Sequence, residues 1–190
     1  MKIKIFIFGL LLLLTSIVRV SSASQLDFTW NAPKTYVHNK GTGGEVQYII
    51  WFYNLGNTID QPILVPIEVF LMTDTGENHL DTYYPEIMEH VAKLDVDHKE
   101  GKKYQYAAIA KGELAPKATK HCVAMFEDVY PKARRLDIFV TGISHFWRWR
   151  MVDYSYKITY EREQDYWKLI EHGMTKDTSH RSYEFESRNW

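Results

Sequence analysis

Eight histidines, one cysteine and a single Asp-Thr-Gly tripeptide are the residues of this chain with the most obvious chemistry to offer. Asp74-Thr75-Gly76 spells the signature of an aspartic protease. That chemistry needs two such carboxylates sharing one proton. The chain carries one copy, with Glu77 where the signature has a small residue. The same tripeptide suits a hairpin turn, and that is the reading adopted. His38, His79, His90, His98, His121, His145, His172 and His180 show neither His-x-His nor His-x-x-x-His spacing. His121 and Cys122 are adjacent on an expected strand, so their side chains point to opposite faces. That is wrong for a Cys–His dyad and wrong for a shared metal. A copper site in a β-sandwich would draw on Cys, two His and often Met from neighbouring loops. Cys122 and Met125 fall inside a strand instead. Asp95, Asp97, His98 and Glu100 lack the alternate spacing and the well-placed glycine of a calcium loop, because Gly101 comes too late. No catalytic residue, metal ligand or cofactor is assigned.

One segment stands out for contact rather than catalysis. His145-Phe146-Trp147-Arg148-Trp149-Arg150 would place Trp147 and Trp149 on one face of a strand and Arg148 and Arg150 on the other. Packed over a sheet, the tryptophans fill space and the arginines cover rings or meet carboxylates. Exposed, Phe146, Trp147, Arg148, Trp149 and Arg150 form an aromatic-cationic patch suited to a membrane interface, a glycan or a protein partner. This patch is the candidate binding site.

The elements that would position these residues are mostly strands. Thirteen Tyr, nine Phe and six Trp, with frequent Val, Ile and Thr, favour extended structure. Residues 45–53 alternate with Val46, Tyr48, Ile50 and Phe52 on one face. The other face turns apolar at Ile49 and Trp51, so that end is expected to be covered on both sides. Asn54-Leu55-Gly56-Asn57 reads as a turn. A strand over 63–73 directs Val65, Ile67, Val69 and Leu71 inward, with Pro66 marking an edge or bulge. Residues 74–78 form the next turn. Pro85 opens a helix of about 85–94 whose apolar positions are Ile87, Val91 and Leu94. Residues 95–103 are charged and read as a mobile loop. Strands follow at 104–110 and 118–127. In 135–141, Leu136, Ile138 and Val140 point inward while Arg135 and Asp137 point out. In 151–160, Val152, Tyr154, Tyr156, Ile158 and Tyr160 oppose Asp153, Ser155, Lys157 and Thr159. Weaker strands at 165–171 and 182–186 end the chain. Many short strands at this spacing predict an antiparallel sandwich.

The runs Leu114-Ala115-Pro116, Val123 to Val129 and Leu136 to Gly142, with Thr73-Asp74-Thr75-Gly76 and Pro85-Glu86 upstream, carry a resemblance. Over about 45–160 the chain resembles a group of uncharacterised bacterial exported domains in which a helix interrupts an immunoglobulin-like β-sandwich. That group usually has glycine where this chain has Lys117. The resemblance implies a fold and an exported location and supplies no activity.

The N-terminus agrees with export. Lys2 and Lys4 precede an apolar stretch from Ile5 to Val18, and Ser21-Ser22-Ala23 follows, the layout of a signal peptide cleaved after Ala23. The apolar stretch is shorter than the ~20 residues of a spanning helix, so no transmembrane segment is expected after cleavage. Removing 23 of 190 residues leaves 167, enough for one β-sandwich domain over 24–190. Losing Lys2, Lys4 and Arg19 takes the formal net charge from −1 to −4, which disfavours a nucleic-acid partner. With Cys122 alone, an internal disulfide is impossible and stability must come from the core. The expectation is a mainly-β, immunoglobulin-like antiparallel sandwich with one inserted helix and a C-terminal β extension. Its expected role is a noncatalytic exported module, periplasmic or secreted, that binds a protein, a glycan or another envelope component. The alternatives are a copper-type metal carrier and a hydrolase using carboxylates such as Asp74 or Glu77.

Overall fold

The computed structural model describes residues 26–39, 44–65, 67–94, 103–142 and 154–176. The signal segment, the 145–150 patch, the 182–186 strand and most of the 95–103 loop lie outside the described residues.

The expected alternation around residue 50 builds the centre of the fold. Strand β3 (Glu45–Asn57) pairs with β9 (Thr119–Glu127) along one edge. Its other edge is shared by β1 (Leu26–Trp30), against residues 53–57, and β2 (Lys34–Asn39), against residues 45–50. A short parallel strand, β7 (Tyr104–Gln105), closes the far side of β9. The second sheet runs in the order β12 (Tyr166–Lys176), β11 (Tyr154–Glu163), β10 (Arg135–Thr141), β5 (Glu68–Thr73), β6 (Asn78–Leu80). All its pairings are antiparallel. A two-stranded ladder of β4 (Ile63–Val65) and β8 (Gly112–Leu114) completes the β structure.

The two sheets pack face to face over one core. Ile49, Trp51, Tyr53 and Leu55 of β3 and Cys122, Ala124 and Phe126 of β9 meet Val69, Leu71, Leu136, Ile138, Val140, Ile158 and Tyr160 of the second sheet. The opposite face of β3 and β9 is apolar too. Tyr48, Ile50, Phe52, Val123 and Met125 are covered by α1 (Pro85–Leu94) through Ile87 and Met88, with Tyr84 and Tyr104 beside them. The order is helix, sheet, sheet: an antiparallel sandwich with the inserted helix on one outer face. Double coverage is the physical reason that β3 reads apolar on both faces.

Four local expectations are corrected. Asn54–Asn57 is not a turn but the end of β3, because both its edges find partners. Asn54 Nδ2 donates to Thr29 Oγ1 at 3.1 Å, and its Oδ1 is 2.7 Å from His121 Nδ1. Gly56 runs so near β1 that a Cβ there would lie 3.3 Å from Asp27 Cβ. Cross-strand pairing outweighs local turn propensity. Residues 63–73 are two strands in different sheets. Val65, Ile67, Val69 and Leu71 nonetheless all point into the core, at 4% exposure or less. Residues 104–110 are not one strand. After β7 they form the short helix α2 (Ala107–Ala110), where alanine costs least in a helix and the Asp81 carboxylate accepts the Ala107 N–H at 3.0 Å. Finally, the second face of β10 is not wet. Asp137 and Phe139 are buried: Phe139 stacks on Phe70 at 4.7 Å, and Thr159 Oγ1 donates to Asp137 Oδ1 at 2.8 Å.

The helix over 85–94 and the inward set Leu136, Ile138 and Val140 stand as expected. The C-terminal strand is longer than expected and forms the edge of the second sheet. Lys117, where the resembling group usually has glycine, adopts φ 57°, a region that glycine enters at no steric cost. No helix among the described residues is long and apolar enough to cross a membrane.

Candidate binding surface at the sandwich margin

The sequence assigned binding to Phe146, Trp147, Arg148, Trp149 and Arg150, which lie outside the described residues. The described residues bring together a different aromatic group. Strand β1 lies along the margin of the first sheet; Leu26 is buried, but toward Trp30 the second sheet roofs its inward face only in part. Phe28 and Trp30 are therefore half-buried. Across the gap, β11 presents Tyr156 and β12 presents His172. Trp30 lies 5.0 Å from Phe28, 5.6 Å from Tyr156 and 5.2 Å from His172, ring centre to ring centre. The contacts with Tyr156 and His172 are edge-to-face, a favoured aromatic geometry. Deeper in, Phe28 meets Trp51 at 6.2 Å and Tyr53 at 6.1 Å, and those two rings stack at 4.9 Å.

Polar atoms are threaded through this group. The Tyr156 hydroxyl and His172 Nδ1 are hydrogen-bonded at 2.6 Å. Partial burial pushes the Tyr156 phenol up. Beneath them Tyr160 donates to the Asn31 carbonyl at 3.2 Å, and Trp167 Nε1 donates to Thr35 Oγ1 at 3.2 Å. These two bonds tie the second sheet to the β1–β2 corner. Buried below the group, the Tyr53 hydroxyl lies against the Cys122 thiol and the Trp51 indole against the Tyr160 hydroxyl. A group of partly exposed aromatic side chains beside a hydroxyl and an imidazole can meet the apolar face of a small ring while exchanging hydrogen bonds with its hydroxyls. Alternation placed Tyr156 inward. Nothing local in the sequence marks Trp30 or His172 as its neighbours, because they arrive from β1 and β12.

Of the residues weighed for catalysis and metals, Asp74, Glu77, Cys122 and Met125 make turn and core contacts, while Asp95, Asp97, His98 and Glu100 lie outside the described residues. Asp74 sits in the β5–β6 turn, where its Oδ1 accepts the N–H groups of Arg134 and Arg135 at 3.0 and 3.2 Å. Glu77 accepts the Tyr130 N–H at 3.1 Å. Cys122 lies in the inner core and Met125 under α1, on opposite faces of β9. Burial pushes the Cys122 thiol up to about 12. Among the described residues no three His, Cys, Asp or Glu side chains converge as metal ligands would.

Sequence reasoning missed Asp81. It follows β6 and reaches across to the edge of the first sheet. Its Oδ1 accepts the Met125 N–H at 2.9 Å and its Oδ2 that of Ala107 at 3.0 Å. Next to it, the Thr82 N–H donates to the Met125 carbonyl at 3.2 Å. Desolvation outweighs those two donors and raises the Asp81 carboxyl to about 6. The only signal in the sequence is an acidic residue just before a helix, which reads equally well as solvent-exposed.

Set against protein-family models, curated proteins and solved structures, the chain finds no match in any of the three comparisons.

Proposed function

We propose that this chain is an exported, noncatalytic β-sandwich module that binds a glycan of the cell envelope. The observation that carries the reading is the half-exposed group of Phe28, Trp30, Tyr156 and His172, with its hydroxyl–imidazole pair. A sugar ring offers an apolar C–H face for aromatic stacking and a rim of hydroxyls for the polar pair. The basic start, apolar stretch and small residues of the N-terminus support export. The resemblance to exported sandwich domains points to the same compartment.

Co-sedimentation with insoluble cell-wall glycan tests the proposal. The wild-type protein is expected to pellet with the glycan. His172→Ala, at an exposed position, is expected to lose retention while its melting temperature stays unchanged. Failure of the wild type to pellet, or equal retention of His172→Ala and Trp30→Ala, overturns it.

A further inference from the structure

The edges of the two sheets are unequal. β1, β2, β6 and β7 are two to six residues long, whereas β12 runs for eleven. A long edge strand is a template for another strand, and among the described residues β12 pairs with β11 alone. It also carries three exposed large apolar side chains, Tyr166, Leu169 and Ile170.

We infer that β12 pairs antiparallel with β12 of a second copy of this chain. A two-fold axis between Leu169 and Ile170 would join the two second sheets into one of ten strands.

The β11–β12 ladder makes this register possible. Glu161 faces Lys168, Tyr160 faces Leu169, and Thr159 faces Glu171, so Ile170 is an extra residue in a bulge. In a regular strand, residues three apart turn their backbone groups to opposite edges and their side chains to opposite faces. The bulge cancels that difference. Lys168 and Glu171 oppose residues two apart on β11, so both lie on the outer face with the same edge orientation. The contacts agree. Lys168 Nζ is 2.6 Å from Glu163 Oε1, and Glu171 Oε1 is 3.9 Å from Lys157 Nζ. Trp167 points into the core and His172 meets Trp30 on the inner side.

The two-fold axis then makes the strand complementary to itself. Lys168 faces Glu171 of the second copy, and Glu171 faces the second copy's Lys168. Leu169 and Ile170 meet their counterparts at the centre. Tyr166 lies across from Gly173 of the second copy, where no atom of the described residues lies within 4 Å of the space above the glycine. A tyrosine over a cross-strand glycine covers the backbone that the glycine leaves bare. Opposite charges directly across a strand pair favour the register, and like charges oppose it. The interface is isologous, as a closed two-fold dimer requires.

Sedimentation equilibrium of the purified exported protein over a concentration series tests this, with melting temperature as the check on folding. The wild type is expected to dimerise. Glu171→Lys sets lysine against Lys168 twice per dimer and is expected to weaken association about tenfold. Adding Lys168→Glu restores opposite charges in the swapped order and is expected to recover wild-type association. A role for either residue inside one chain would not produce that recovery. A wild type that stays monomeric throughout overturns the inference. So does a dimer that Glu171→Lys does not weaken, or one that the double exchange does not restore.

Discussion

Asp81 joins the two sheets through a single carboxylate, and replacing it with alanine separates two effects by pH. Asp81→Ala leaves the Met125 and Ala107 N–H groups without their acceptors. An unsatisfied buried donor costs about 1–3 kcal/mol, so the hydrogen-bond loss is about 2–6 kcal/mol. The carboxyl itself works the other way once it ionises. Its value rises from 3.8 to about 6 on folding, chiefly by desolvation. That difference corresponds to about 3 kcal/mol between the protonated and charged forms. A raised carboxyl stabilises the fold fully below the unfolded value, near pH 4, and this contribution is lost as pH rises through about 6. The deficit of Asp81→Ala relative to wild type is therefore expected to be about 2.4 kcal/mol larger at pH 4 than at pH 7.5. Urea denaturation of both proteins at the two pH values measures it, and the other titrating groups cancel in the difference. A deficit independent of pH, or one larger at pH 7.5, would refute the assignment of a desolvated carboxylate at this joint.

Three further outcomes follow from the core and the turns. Cys122→Ser is expected to lose about 1–2 kcal/mol from a poorly paired buried hydroxyl. The native thiol, held up to about 12, should react with a thiol reagent only as fast as the protein opens, and rapid labelling of the folded protein would contradict its burial. Ile138→Ala and Phe139→Ala are both expected to destabilise strongly, by about 2–5 and 3–5 kcal/mol, because both faces of β10 carry buried side chains, Phe139 being enclosed by Phe70 and Lys157 beside it; denaturant midpoints check this, and a near-neutral Phe139→Ala would mean its outer face is open. Gln164 adopts φ 56° in the β11–β12 turn. Gln164→Asn, a residue better suited to that region, is expected to raise the melting temperature through several tenths of a kcal/mol, and a fall would show that the turn relies on glutamine for another contact.

Local patterning was enough for the parts of this fold in which one residue after another obeys one period. Leu136, Ile138 and Val140, the doubly apolar β3, the Pro85 helix, the Asp-Thr-Gly turn and the buried Cys122 are all legible from side-chain type and spacing, since each depends on which face must leave water. Even the split strand over 63–73 kept its inward residues, because parity survives a change of sheet. What spacing could not settle is where strands meet. Asn54–Asn57 has turn-forming residues but is held extended by partners on both sides, and Ala107–Ala110 is helical with a carboxylate from far along the chain at its first N–H. Phe28, Trp30, Tyr156 and His172 become neighbours only when β1 and β12 take up facing margins of the sandwich. Asp81 becomes a part-buried joint only when β6 is laid against β9, and the bulge at Ile170 exists only in the register with β11. These are properties of pairing and desolvation between distant segments, and no local period encodes them.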